Sequence, residues 1–129
     1  MRMKPTVPLY VPDPDALSAL REELRLLSGA GVIDILYILD SEGESGFNAI
    51  RRRLGRNSSP GLSRALRNLQ SSGMVSRRVT GASPPLVYYS LTQKGTESLQ
   101  LLHSLLQWSN RWNEESPYNV EISIDPGNR

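Results

Sequence analysis

The sequence predicts a mainly α domain with a β-hairpin wing, a winged helix-turn-helix with dimerisation helices at both ends. Three observations support this. Leucines recur at helical spacing on both sides of a Gly-containing turn at residues 55–58, and the apolar period changes from about 3.6 to about 2 after Gly73. Basic residues also concentrate in the middle of the chain. The predicted domain covers residues 13–113, between an extended N-terminal arm (1–12) and a C-terminal tail (114–129).

The first predicted helix begins after Asp13 or Asp15, whose carboxylates are good N-caps, and it ends near Gly29. One of its faces is a stripe of leucines, which are Leu17, Leu20, Leu24 and Leu27. Such a stripe usually packs in a core, but helices added to small domains often form dimers. We therefore expect Leu17, Leu20 and Leu24 to contribute to a dimer interface.

The second and third predicted helices lead into the helix-turn-helix. Residues 32–39 are nearly all apolar, so periodicity alone does not distinguish a helix from a buried strand. The preceding Gly31 and the turn at residues 41–46 favour a helix. The third helix starts after Ser45 or Gly46 and stops at Gly55, and its outer face is arginine-rich.

The fourth helix is the predicted DNA-reading helix. Ser58 or Ser59 caps it, Pro60 occupies its first turn and Gly73 follows its end. Leucines at positions 62, 66 and 69 form an apolar stripe, and the opposite face is polar. Arg and Asn make bidentate contacts to guanine and adenine in the major groove. The candidate base-reading residues are Ser59, Gly61, Ser63, Arg64, Arg67 and Asn68.

A hairpin and a long helix complete the predicted domain. Strands at residues 74–80 and 86–91 flank a turn at 81–85, and Thr92 caps a helix that runs to about Asn113. Two adjoining apolar stripes on this helix exceed what one packed face needs. The dimer candidates here are Leu102, Leu105, Trp108 and Trp112. The two tryptophans also suit a small-molecule pocket, although no effector can be identified from them.

The charge distribution points to a polyanionic partner. Residues 45–96 hold nine Lys and Arg residues and no Asp or Glu, so this window carries +9 within a chain of net charge +2. The candidate contacts to the DNA backbone, or to DNA from the wing, are Arg51, Arg52, Arg56, Arg77, Arg78 and Ser83. Alternation along a strand lets only one of Arg77 and Arg78 face DNA, and the pattern does not say which.

Several classes of function are disfavoured. The chain has no cysteine and one histidine, His103, so neither thiol chemistry nor a cysteine or histidine metal site is expected. No nucleophile-and-base pattern or phosphate loop occurs, which argues against an enzyme and against a cofactor. There is no apolar run long enough for a membrane span and no signal peptide, so we expect a cytoplasmic protein.

The wing sequence Pro-Pro-Leu-Val-Tyr-Tyr-Ser-Leu-Thr-Gln-Lys-Gly, residues 84–95, resembles that of HxlR-type regulators, which have MarR and PadR relatives. The similarity covers residues 32–112 and is more specific in the wing than in the helix-turn-helix. It implies a homodimer that binds double-stranded DNA at a pseudo-palindromic operator. The chain departs from that family in lacking an N-terminal cysteine and a Lys-Trp pair before the first core helix.

Two alternatives remain at this stage. A winged helix can also serve as a protein–protein assembly module without DNA binding. Binding of RNA or single-stranded DNA is the other, but it usually needs a platform of aromatic side chains, and Phe47 is expected in the core.

Overall fold

A computed structural model describes residues 12–55 and 61–115, and within these ranges the chain forms five helices and one small sheet. The helices are α1 (Pro14–Leu27), α2 (Val32–Glu42), α3 (Phe47–Leu54), α4 (Gly61–Ser71) and α5 (Gln93–Glu115). The strands are β1 (Ser45–Gly46), β2 (Val75–Val79) and β3 (Val87–Leu91). The predicted fold class, mainly helical with a hairpin wing, is confirmed.

The helix ends follow the local signals in the sequence. The Asp13 carboxylate accepts a hydrogen bond of 2.8 Å from the backbone N–H of Ala16 and so caps α1. Gly31 has a φ of 78° before α2, and Gly73 has a φ of 85° after α4. Side chains are disfavoured in this left-handed region, so these two glycines separate the helices from their neighbours.

The sheet contains one strand that the sequence pattern did not predict. Its order is β1-β3-β2, all antiparallel, and β1 pairs Ser45 with Tyr89 and Gly46 with Tyr88. Two residues are too few to show alternation, so only the tertiary pairing reveals β1. As a result, the hairpin is attached along one edge to the connection between α2 and α3.

The core lies beneath α4. Its buried residues come from α2, α3, α4, α5 and the start of β2, and they are Val32, Ile35, Leu36, Leu39, Ile50, Leu62, Ala65, Leu66, Leu69, Met74, Val75 and Leu99. By contrast, α1 has no buried residue and touches this cluster only through the partly buried Leu26 and Leu27. The first helix is therefore peripheral to the protomer's core.

The start of α5 is locked against the end of α4. Thr92 accepts a hydrogen bond of 3.1 Å from Gly95 N and donates one to the Gly73 carbonyl, which confirms Thr92 as the helix cap. A Cβ on the buried Gly95 would lie 2.2 Å from the Met74 carbonyl oxygen. Only glycine fits there, and this close approach fixes the direction in which α5 leaves the domain.

Some predictions fall on residues outside the described ranges. These are the N-terminal arm over residues 1–11, the cap and first turn of the DNA-reading helix at 56–60, and the tail at 116–129. Arg56 and Ser59 are among them. Within the described ranges, none of the helices combines the length and apolarity that a membrane crossing requires.

Candidate nucleic-acid interface

The outer face of α4 is set by what the helix buries. Leu62, Leu66 and Leu69 are buried against the core, so a helix of about 3.6 residues per turn must point its other side to solvent. Arg64 and Arg67 lie near the centre of that side and are exposed. Neither forms an ion pair with a carboxylate of residues 12–55 or 61–113. The predicted reading face is therefore a basic surface held on a rigid helix.

Two different environments flank this face. On the wing side, an open cleft is lined by Phe47, Ser63, Arg67, Gln70, Arg77 and Tyr89. On the α1 side, a second cleft is lined by Glu22, Glu23, Leu26, Asn68, Ser71 and Ser72. Arg67 is thus near another arginine, whereas Asn68 is near two acids. The base-reading role of Asn68 stays a prediction, and a helical pattern alone does not reveal these neighbours.

The arginines of α3 do not share one environment. Arg51 and Arg52 are exposed and have no ion-pair partner among the described carboxylates. Arg53 is different, because its Nε lies 2.9 Å from Oε2 of Glu42 at the end of α2. This contact ties Arg53 to the body of the domain and leaves Arg51 and Arg52 as the basic surface of the helix.

The two wing arginines lie on opposite faces of the hairpin. Arg77 pairs with Tyr89 across the strands, on the face that includes the buried Val75 and lines the α4 cleft. Arg78 pairs with Tyr88, and its guanidinium lies 5.0 Å from the centre of that ring. The alternation expected from the sequence is present, and the structure adds which side each residue takes.

Arg78 is also bound by a carboxylate. Its Nε and Nη2 each donate a 2.9 Å hydrogen bond to Glu44, one to each carboxylate oxygen. This pairing lowers the pKa of Glu44 below its ordinary value, mainly through the hydrogen bond from Arg78, and it raises the pKa of Arg78 in turn. Such two-point contacts fix geometry better than a single contact does.

Carboxylates from outside the acid-free window therefore reach part of the basic surface. Arg53, Arg78 and Lys94 pair with Glu42, Glu44 and Glu23 respectively. In the folded domain, the positive charge of residues 45–96 that has no paired carboxylate therefore lies on fewer side chains than the sequence suggests. Five exposed arginines of the window have no such partner among the described residues: Arg51, Arg52, Arg64, Arg67 and Arg77.

The wing tip is exposed and includes Ser83. The Thr80 hydroxyl accepts hydrogen bonds from the backbone N–H groups of Ala82, at 3.3 Å, and Leu86, at 3.0 Å. These contacts close the turn around Ser83. Gly61 and Ser63 are likewise exposed at the start of the described part of α4.

The terminal helices expose apolar side chains away from these clefts. Leu20 and Leu24 of α1 are about half exposed, as are Leu105, Trp108 and Trp112 of α5. Leu17 is half-buried, and Leu102 packs against the core. His103 lies with Leu102 in a groove between α2 and α5. Among the described residues no group of acidic, histidine or cysteine side chains could hold a metal ion.

Comparison with known families matches this architecture. The sequence model of the HxlR-like helix-turn-helix family matches residues 26–117. An uncharacterized HTH-type transcriptional regulator of Methanothermobacter thermautotrophicus is 39% identical over 52% of this chain, which spans about half (51%) of that relative. One from Halalkalibacterium halodurans is 33% identical over 66% of this chain and 75% of its own length.

Solved structures show the same fold. The diamide-treated YodB of B. subtilis aligns with a TM-score of 0.66 and 25% identity, covering 80% of this chain and 97% of YodB. A protein assigned to the MarR family of regulators from Enterococcus faecalis V583 aligns with a TM-score of 0.69 and 23% identity. That alignment covers 82% of this chain and 94% of the other, and at this identity it supports the fold alone.

Proposed function

Because the chain belongs to the HxlR-like helix-turn-helix family of transcriptional regulators, we propose that it binds double-stranded DNA sequence-specifically as a homodimer. The observation that carries this proposal is the outer face of α4. It presents Arg64 and Arg67 without a described carboxylate partner, on a helix whose other side is fixed in the core. A polyphosphate is the natural partner of such a face.

Different arginines take different roles in this proposal. The helix α4 enters the major groove, where Arg64 is the principal base-reading side chain. Arg51 and Arg52 on α3 contact phosphates, because the preceding helix of a helix-turn-helix crosses the DNA backbone. The wing meets the flanking backbone or minor groove. The protein would act in the cytoplasm, in contact with the chromosome.

The homodimer rests on the apolar surface of the terminal helices. Trp108, Trp112 and Leu105 of α5 are each more than half exposed, and α1 adds Leu20 and Leu24. Leu105, Trp108 and Trp112 follow one another at helical spacing, and an exposed apolar stripe of this kind is typical of an interface. A two-fold dimer would present two copies of α4 to two half-sites of a pseudo-palindromic operator. The chain has no cysteine, so thiol oxidation within these residues cannot regulate it.

Salt dependence provides the first test. Five exposed arginines without a described partner predict about five phosphate or base contacts per protomer. Because Arg64 reads a base in this proposal, the other four would neutralise phosphates, and the plot of log affinity against log salt would have a slope of about −3.6 per protomer. Fluorescence anisotropy with labelled duplex measures this slope. An affinity that does not change with salt would contradict the proposal.

The roles are tested by two substitutions. Arg64→Ala should reduce the preference for the selected operator over random duplex, by about 1–3 kcal/mol. Arg52→Ala should weaken both duplexes alike and reduce the salt slope by about 0.9 per protomer. Selection of bound duplexes from a random pool supplies the operator and its half-site spacing. Equal losses on both duplexes for both variants would show that the roles are wrongly assigned.

A further inference from the structure

We propose that the two adjacent wing arginines have opposite roles: Arg77 binds a DNA phosphate together with Arg67, whereas Arg78 positions the wing through Glu44 and Tyr88. This phosphate contact takes the place of the base-reading role predicted for Arg67 from the sequence. This inference rests on the proposed function and deepens it. It assigns a binding role to a specific cleft and a positioning role to three residues that touch no DNA.

The phosphate site is the cleft between α4 and the hairpin. Arg67 from α4 and Arg77 from β2 both line it, together with Ser63 and Gln70. Phe47 and Tyr89 pack against the core and form its base. Two guanidiniums, a hydroxyl and an amide supply several donors around one open space, and both arginines lack a partner among the described carboxylates.

The position of this cleft fits the DNA backbone. A recognition helix in the major groove leaves a phosphate strand passing beside it, and here the wing borders that side of α4. On the α1 side of the same helix, Glu22 and Glu23 line the cleft and pair with Arg25 and Lys94. Among the described residues, guanidiniums without a carboxylate partner line the wing-side cleft and not the α1-side cleft, so charge favours the wing side for the strand.

Arg78 is directed away from this cleft. Strand alternation places it on the outer face of the hairpin with Ser76, whose hydroxyl lies 3.0 Å from that of Ser90. Both oxygens of Glu44 accept hydrogen bonds from its guanidinium, and the ring of Tyr88 lies beneath it. Its charge is already compensated, so it has little to offer a phosphate.

The contacts of Arg78 also span the whole sheet. Glu44 immediately precedes β1, Tyr88 belongs to the central strand β3, and Arg78 belongs to β2. The ion pair therefore joins the two outer strands across the middle one. Because β1 has only two residues, its own backbone pairing is short. The Glu44–Arg78 contact supplements that pairing and holds the hairpin against the connection between α2 and α3.

Matched variants at neighbouring positions test the assignment with full-length protein and a short random duplex. Arg77→Gln should reduce the salt slope by about 0.9 per protomer, and Arg77→Lys should restore most of it. Arg78→Gln should leave the slope as in the wild type and reduce affinity about two- to fivefold. Arg78→Lys should not rescue this loss, because an ammonium group cannot reproduce the two-oxygen contact.

Glu44→Gln gives the sharpest result, because a simple charge effect and a positioning role predict opposite changes in DNA affinity. Removing a negative charge from a DNA-binding domain ordinarily strengthens binding. A positioning role predicts weaker binding instead, equal to that of Arg78→Gln, with no further loss in the double variant Glu44→Gln/Arg78→Gln. Circular dichroism confirms that each variant is folded.

The outcomes distinguish a failure of the proposed DNA binding from a failure of the roles proposed for Arg77 and Arg78. If wild-type protein shows no salt-dependent binding to duplex, the proposed function fails. If wild-type protein binds but Arg78→Gln lowers the slope, then Arg78 contacts phosphate and the positioning role is wrong. If Glu44→Gln strengthens binding, the charge of Glu44 matters and its positioning role is wrong. If Arg77→Gln leaves the slope unchanged, the phosphate site in the cleft is wrong.

Discussion

Helices α1 and α4 carry the same kind of leucine stripe but use it differently. In α4, Leu62, Leu66 and Leu69 are only 4%, 2% and 0% exposed. In α1, Leu20 and Leu24 are 52% and 53% exposed, and the helix has no buried residue. A similar leucine stripe is thus buried within the protomer in α4 and left largely exposed in α1.

The difference lies in what surrounds each helix. The leucines of α4 belong to a core cluster to which α2, α3, β2 and α5 also contribute residues. Helix α1 contacts that cluster only through Leu26 and Leu27 at its end. The long helix α5 shows both situations. Leu99 near its start is buried, and Trp108 and Trp112 further along are each 54% exposed. Most of the exposed large apolar side chains of the described residues therefore lie on the terminal helices, where the dimer interface is proposed.

The largest effect is expected from Leu69→Ala in α4. Leu69 is fully buried, so the substitution leaves a cavity and should lower the free energy of unfolding by about 2–5 kcal/mol. Gln70→Ala, at the adjacent exposed position, is the control and should change it by less than about 0.5 kcal/mol. Urea denaturation measures both. Equal effects would mean that α4 is not held in the core as described.

A substitution on the exposed apolar surface of α5 should weaken the dimer and should have little effect on the stability of the fold. Trp108→Ala should weaken the dimer by about 2 kcal/mol or more, which is roughly a thirtyfold rise in its dissociation constant. Sedimentation equilibrium measures this. Leu86→Ala is the control, because Leu86 is 51% exposed but lies in the wing, and the dimer should be unaffected. A monomeric wild type, or an unchanged dimer in Trp108→Ala, would refute the assignment of α5 to the interface.

A smaller effect is expected where α5 joins the core. Gly95→Ala places a Cβ against the Met74 carbonyl oxygen, and the resulting overpacking should cost about 1–3 kcal/mol of folding stability. Gly81→Ala is the matched control, since a Cβ there meets nothing within 4 Å. Thermal melts give the comparison. If Gly95→Ala melts like the control, the close approach of Gly95 to the Met74 carbonyl is absent in solution.

Much of the fold follows from local signals that can be read along the chain. The Asp13 cap, the glycines at 31, 55 and 73 and the Thr92 cap delimit helices at the predicted places. The change of period after Gly73 identifies the hairpin, and the wing sequence identifies the family. These features depend on interactions between residues close in sequence, or on the side-chain periodicity that follows from helix and strand geometry.

The candidate nucleic-acid interface was only partly predictable, because part of it depends on contacts between residues that are distant in sequence. The residues facing outward on α4 could be derived from its leucines, since burying one side of a helix exposes the other. Strand β1 and the contact of Arg78 with Glu44, 34 residues away, could not, because they depend on which segments meet in space. Base-reading and dimer roles stay predictions.

The sequence by itself determined where the hairpin and most of the helix ends lie, because capping, turn and periodicity signals act over a few residues. It also determined that one central segment is rich in cations and free of acids. Tertiary structure decided which cations keep their charge available. Carboxylates distant in sequence neutralise Arg53, Arg78 and Lys94, because electrostatic pairing depends on distance through space and not on order along the chain.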